Sequence, residues 1–402
     1  MANILPTTSV VAKEALAILK NNLAFARGAN RDYEDEFTGN VSRGYMPGQT
    51  INIKRPPRYT YRAGRVSVPQ DTQMSTVPLT LSQGGTDLNF NTLERTLSVN
   101  RFEKIMMAAM AAVTNEIDRQ GLDLARRTVG NLVGTVGTLP ATQAAALALI
   151  TQGHQKLDEN GAPPRRDRQR STVVNPAMNA AVVQGMAGLF NAQGTIGKQN
   201  DSGLWVAGFG STIDMDQNVS RHSNGTQAAA TATVSGAGQI GSTITTAATG
   251  GTITAGSVIT FAGVNAVNPQ SRQDTGSLQQ FVATANVASG ATSIPISPPL
   301  ITTGAFQTVT ASPANAAVIT IVGAASASYD TNILSHKDAF TLAMVPMEVP
   351  VAGVKVTQMS DDGLTVKVTQ GYDMVNDNNI MRLDVLFGWA ATYPELACKL
   401  IA

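Results

Sequence analysis

Three short stretches carry residue types at spacings that could do chemistry. SGAGQIG places Gly236, Gly238 and Gly241 in a G-x-G-x-x-G pattern, which lets backbone approach a pyrophosphate. That chemistry needs a helix directly after the glycines and an acid about 20 residues on. The β-like STITTAATGG follows instead, and the next acid is Asp274, so the glycines read as a turn. DMDQN sets Asp214, Asp216 and Asn218 at calcium-loop spacing. Val219 and Gly225 stand where such a loop needs its Gly and its bidentate Glu, so this too reads as a polar turn. His154, His222 and His336 are isolated, with no H-E-x-x-H pattern. There is no G-x-S-x-G, and Cys398 has no accompanying motif and reads as a small buried hydrophobe. No catalytic, cofactor-binding or metal-binding constellation emerges, and a non-enzyme is expected.

Two basic clusters remain. INIKRPPRYTYRAGRVSV, from Ile51, sets Lys54, Arg55, Arg58, Arg62 and Arg65 around Tyr59 and Tyr61. PPRRDRQR carries Arg165, Arg166, Arg168 and Arg170. Basic residues interleaved with aromatics suggest a nucleic-acid contact. The whole chain argues against a dedicated polyanion binder: 29 Lys and Arg against 28 Asp and Glu leave a formal charge of +1. The second cluster reads either as a solvated loop or as a non-specific, salt-sensitive contact to phosphates.

The elements that must position these residues can be read from periodicity. TTSVVAKEALAILKNNLAFARGAN reads as a helix capped by Thr8 or Ser9 and stopped by Gly28, with Leu16, Leu19, Leu23 and Ala26 on one face. The acidic RDYEDEF follows, with Asp32, Glu34, Asp35 and Glu36. Residues 49–83 read as a long β-hairpin, too polar to form a core and only marginally stable alone. Residues 98–128 carry the longest helical pattern, with Phe102, Ile105, Met106, Ala109, Val113, Ile117 and Leu124 in register and a bend expected at Gly121. Asn100 and Glu103 form a capping-box pair at its start. A helix at 141–161 and a strand, Asn-Pro break and helix after Ser171 give an α/β region.

Composition then shifts. Between His222 and Tyr329 the only charged residues are Arg272 and Asp274, and alternating runs such as GTITAGSVITFAGV and AAVITIVG predict a small sandwich or barrel. The α/β style returns near residue 330 with a hairpin around Asp362-Gly363, then a strand alternating Met381, Leu383, Val385 and Phe387 against Arg382 and Asp384. The β segment at about 223–326 therefore reads as an insertion. At 402 residues the chain can bury a core without staples, and its single cysteine excludes a disulfide framework. MANILPTTSVV lacks the features of a secretory signal, and no apolar run is long enough to span a membrane. A protein kept in a cytosol, without membrane contact, is expected.

This order of elements resembles the HK97-fold major capsid proteins of tailed bacteriophages, and the insertion narrows the resemblance to the P22 coat protein family. AGSVITFAGVNAV, from Ala255 to Val267, resembles a strand-turn-strand of that family's inserted barrel, and LFGWAATYPELA, from Leu386 to Ala397, resembles its C-terminal strand and Pro-Glu turn. The resemblance implies an α+β HK97-like fold. Its parts would be an N-terminal arm at 1–48, an extended loop and start of the peripheral domain at 49–97, a spine helix at 98–139, an axial domain at 140–222, an inserted β-barrel at 223–326, and a second axial and peripheral part at 327–402. It implies a coat protein that self-assembles into an icosahedral shell around double-stranded DNA, built in the host bacterial cytoplasm. The partners implied are copies of itself in hexamers and pentamers, a scaffolding protein, a portal protein and a decoration protein, with non-specific contact to packaged DNA. The loop's basic residues would then meet carboxylates on a neighbouring copy, with Asp32 to Glu36 as candidates. The N-terminal helix is the expected scaffold contact. Lys54, the sole loop lysine, sits at the base, so no inter-subunit covalent cross-link is expected. A second reading, from the Gly/Thr/Ala-rich β segment, is a tail, decoration or adhesin component.

Overall fold

A computed structural model of the chain describes residues 8–31, 50–61, 64–65, 67, 69–72, 75–91, 102–163, 169–186, 207–208, 210–228, 230–348, 355–361, 364–373 and 378–402. In chain order it opens with helix α1 (Thr8–Asn22), strands β1 (Thr50–Arg55), β2 (Ser75–Thr80) and β3 (Ser82–Asn91), and the long helix α2 (Phe102–Thr128). Next come β4 (Leu132–Gly134), α3 (Gln143–Glu159), β5 (Arg170–Val174), α4 (Pro176–Met186), β6 (Ala207–Gly208), β7 (Ser211–Met215) and β8 (Arg221–Ser223). The low-charge segment holds β9 (Ala232–Thr233), β10 (Gly241–Thr245), β11 (Val258–Val267), β12 (Asp274–Ala283), β13 (Ser293–Leu300) and β14 (Val318–Ile321). The chain closes with β15 (Ser328–Asp330), β16 (Asn332–His336), β17 (Phe340–Met344), β18 (Lys355–Asp361), β19 (Leu364–Asp373), β20 (Asn378–Ala391) and β21 (Ala397–Ile401).

These elements fall into two units. One comprises Met1–Lys54, Thr76–Gly121 and Phe340–Thr392; the other comprises Arg55–Ser75, Leu122–Ala339 and Tyr393–Ala402. Within the stretch from 327 onward, residues 340–392 belong to the first unit and the C-terminal strand to the second.

In the first unit the trunk is β20. It carries β3 along one side, with β19 and β17 end to end along the other, all antiparallel. β18 and β19 pair with Asp361 opposite Leu364; the Asp362-Gly363 connection lies outside the described residues. Helix α1 packs on β18 and β19, burying Ala12, Ala15, Leu16 and Leu19 on a sheet that buries Leu364, Val366 and Val368. The helix stops at Asn22, short of the expected Gly28. The reason is a carboxylate: Asp118, buried on α2, accepts the N–H groups of Ala24, Phe25 and Ala26 at 2.7, 3.3 and 3.0 Å. Those donors therefore leave the i−4 carbonyls, and a 3-10 turn at Ala26–Gly28 follows.

Helix α2, about 40 Å long, buries Ala109, Met110, Val113 and Ile117. Gly121 serves close packing rather than a bend: a Cβ there would lie 2.7 Å from Trp389 and 2.8 Å from Phe25. The Trp389 indole N–H donates to the Ile117 carbonyl at 3.0 Å, and the Phe25 ring centroid lies 5.4 Å from those of Phe340 and Trp389. The base of the polar hairpin is held here too. Ile53, Val77, Leu79 and Leu81 pack with Ala343, Val345, Met347, Leu386 and Ala390.

The second unit is built on a mixed six-stranded sheet ordered β4-β21-β16-β5-β7-β6, in which β4 lies parallel to β21 and β5 parallel to β7. Helices α3 and α4 cover it through Ala146, Leu149, Ile150, Leu157, Met178 and Val182, packed on Val174, Leu334, Cys398 and Leu400. Both helices are capped: Thr142 accepts the Ala145 N–H, and Asn175, before Pro176, accepts the Met178 N–H at 2.7 Å.

The low-charge segment forms its own six-stranded sheet, ordered β10-β13-β12-β11-β14-β9. Its two edges meet where Val234 bridges Thr246, so the sheet closes around Ile244, Ile259, Phe261, Phe281, Ile294 and Ile319. Ala255 to Val267 is not strand-turn-strand: β11 runs through as one strand. The register shifts between Thr260 and Asn265, where Gly263 takes φ +78°, a bulge rather than a reversal. The chain enters and leaves this body side by side, with Ser223 of β8 opposite Ser328 of β15.

Its root is fastened by polar contacts. The Gln280 amide donates to the Leu132 carbonyl and accepts the Leu132 N–H, at 2.9 and 2.8 Å. The Lys399 ammonium, 1% exposed, donates to the Gly256 carbonyl at 3.0 Å. Arg126 contacts His222 Nδ1 at 3.1 Å, and His222 Nε2 meets the Ser257 hydroxyl at 3.1 Å. Burial first, then the cations Lys399 and Arg126, push His222 down to about 4, and burial brings Lys399 down to about 7.

Candidate assembly interface

The basic loop leaves β1 at Arg55 and turns extended at Pro56-Pro57, where proline removes two N–H donors and blocks further ladder pairing. Its root lies within the second unit. Arg55 stands over the Tyr393 ring, 5.3 Å from the centroid. Arg58 donates to the Glu395 carboxylate at 3.1 Å and sits 5.9 Å from the Phe306 centroid. Both ring contacts are within cation–π range. Tyr393 precedes the 3-10 turn Pro394–Leu396 that leads into β21, and Glu395 lies within it. A cavity of about 190 Å³ is lined here by Arg55, Arg58, Asn131, Phe306, Tyr393 and Glu395. Arg272, on the β11–β12 turn, donates to the Tyr59 carbonyl at 2.9 Å.

Beyond β1 and β2 the two limbs of the loop are joined by side chains. Gln70 accepts the Thr60 N–H at 2.8 Å and returns a bond to the Thr60 carbonyl at 2.7 Å. The Tyr59 and Thr72 hydroxyls are 3.0 Å apart. Further out, Tyr61 is 93% exposed and Arg65 is exposed.

The predicted site residues therefore separate. Lys54 is exposed in β1, Arg55 and Arg58 are half-buried on their own chain, and Tyr59, Tyr61 and Arg65 face solvent. Arg62 and the acidic Asp32, Glu34, Asp35 and Glu36 lie outside the described residues, as do Arg165, Arg166 and Arg168. Arg170 does not face DNA. It is 1% exposed in β5, where its guanidinium donates to Asp158 at 2.6 Å and to the Pro163 carbonyl at 3.0 Å. The last residue of the charge run is also the first of β5, all five of whose residues are buried. Sequence reasoning missed Glu395, whose only signal was its place in a Pro-Glu turn, and Asp118, an acid beside an apolar helix stripe.

The glycines of SGAGQIG form the β9–β10 connection and lead into a strand, so they present no helix N-terminus to a phosphate. Asp216 accepts from the Asn218 N–H at 2.8 Å and from its side-chain amide, a local turn after β7.

The family model described as P22 coat protein, gene protein 5, matches residues 74–400. The chain belongs to the P22 coat protein family: it is a major capsid protein that forms the shell. Among solved structures it is similar to Mycobacterium phage Che8, at 12% identity and TM-score 0.47, covering 94% of this chain and 90% of that one. It is also similar to a virus-like particle from Pyrococcus furiosus, at 9% identity and TM-score 0.41, covering 98% of each chain. The bacteriophage PhiM1 mature capsid matches at 11% identity and TM-score 0.37, covering 87% and 81%. A sequence search of curated proteins finds no match.

Proposed function

We propose that this coat protein has an HK97-like arrangement. The closed sheet is the family's inserted barrel, bounded at about residues 223–326; α2 is the spine, and residues 49–83 are the extended loop lying across a neighbouring subunit. Copies gather as hexamers and pentamers of an icosahedral shell around double-stranded DNA, with scaffolding and portal proteins, in the host cytoplasm. What supports this reading is the family match over residues 74–400. Within it, Tyr61, Arg62 and Arg65 reach a neighbour, with Asp32 to Glu36 of the next copy as candidate partners. Arg165, Arg166 and Arg168 are proposed to face packaged DNA, and Arg170 is not among them. Electron microscopy of the chain expressed with and without neighbouring gene products tests this. Closed icosahedral particles are expected; a compact monomer that never assembles at high concentration overturns it.

A further inference from the structure

The β11–β12 turn is built more firmly than a surface connection requires. The Asn268 side chain accepts the N–H groups of Gln270 and Ser271 at 2.9 and 3.0 Å, and its amide donates to the Glu159 carbonyl at the end of α3 at 2.8 Å. The Arg272 N–H returns to the Asn268 carbonyl at 2.8 Å. Arg272 itself takes φ +56°, a left-handed conformation that side-chain-bearing residues rarely adopt, and its Nε is buried without an acceptor. Both features disfavour arginine here. They are offset by one contact, the 2.9 Å bond to the Tyr59 carbonyl. Strain held by a well-braced turn marks a position kept for a purpose.

Tyr59 is where holding the chain counts. It and Thr60 carry the return limb through Thr72 and Gln70, so fixing Tyr59 fixes both limbs. Arg58, one residue earlier, is gripped by Glu395 and Phe306. We propose that the β11–β12 turn and the Pro394–Leu396 turn form a seat for the loop root, with Arg272 as the positioning residue that sets the direction in which the loop leaves the second unit. The purpose of that direction rests on the shell-forming reading: a loop aimed before assembly meets its neighbour without searching, which lowers the ordering cost of association.

Arg272→Gly tests this, because glycine suits the backbone conformation and removes only the side chain. Tryptic cleavage between Arg55 and Arg65 in the purified subunit should become roughly fivefold faster, with an unchanged melting temperature. Co-expression should then yield open or irregular particles in place of closed ones. Glu395→Gln, which weakens the other grip, should shift both readouts the same way, and it carries the test if the glycine variant does not fold. Unchanged cleavage in the variants overturns the seat. Faster cleavage with normal closed particles overturns its directing role. Should the parent chain itself form no particles, the shell reading fails, while the cleavage comparison still decides the seat.

Discussion

Gly121 and Trp389 meet so closely that a single methyl group on the glycine would stand 2.7 Å from the indole ring. Alanine is the better helix former by about 1 kcal/mol, so an exposed glycine at this point would gain from the change. Here the clash with Trp389 and Phe25 decides the sign. Gly121→Ala is expected to lower stability by about 1–3 kcal/mol, read from urea unfolding of the soluble subunit.

Asp118 holds three main-chain N–H groups that have no alternative acceptor once α1 has ended. Asp118→Ala should cost about 3 kcal/mol or more, since each buried unpaired donor costs about 1–3. Asp118→Asn, which keeps one acceptor oxygen, should cost less. Proteolysis within residues 8–28 should accelerate in the same order. The same contacts mean that deleting residues 1–28 removes part of the first unit's core, so scaffold binding at this helix is better probed by point changes on its exposed face.

Arg58 and Glu395 make a half-exposed ion pair, worth about 0–1 kcal/mol to the isolated fold. Arg58→Glu should therefore leave melting nearly unchanged yet reduce closed-particle yield. The double variant Arg58→Glu with Glu395→Arg should restore that yield. If the swap rescues nothing while the single change is harmful, Arg58 acts on another copy rather than on its own chain.

His222 gives a pH dependence with a definite sign. Its folded pKa, about 4, lies below its ordinary 6.5, so its contribution is fully present above 6.5 and is lost as pH falls through 4. Stability measured from pH 7 to 4 should decline, and His222→Gln should flatten that slope. Lys399 acts in a higher window. With its pKa lowered from 10.5 to about 7, stability drains as pH falls from 10.5 toward 7. Lys399→Met should be at least as stable as the parent at pH 7 and lose that advantage near pH 10, as expected when a buried charge is replaced by an apolar chain of similar length.

Periodicity exposed the helices and strands well, because each buries one face: Leu16, Leu19 and Leu23 of the N-terminal segment and Met381, Leu383, Val385 and Phe387 of β20 are all buried as their spacing predicted. It failed where a second layer covers the other face. Leu386 and Asp384 are buried too, the carboxylate satisfied by Arg382 at 2.8 Å, and alternation cannot announce that. The loop's basic character was plain in the sequence, but the acid that Arg58 pairs with was not, since Glu395 stands 337 residues away. Arg170 shows the same blindness: a guanidinium buried against Asp158 is written with the same letter as one in water.

The side-by-side arrangement of Ser223 and Ser328 has an evolutionary corollary. Antiparallel partners stand only about 5 Å apart, so everything between them could be gained or discarded in one genetic event, with a tight turn closing the gap. What resists such a trade is the footprint left behind: Leu132, Tyr329 and Ile401, sheltered beside Val258, would become a wet apolar scar, and Lys399 would lose its carbonyl. A relative lacking this module should therefore show polar replacements at Leu132, Tyr329 and Ile401.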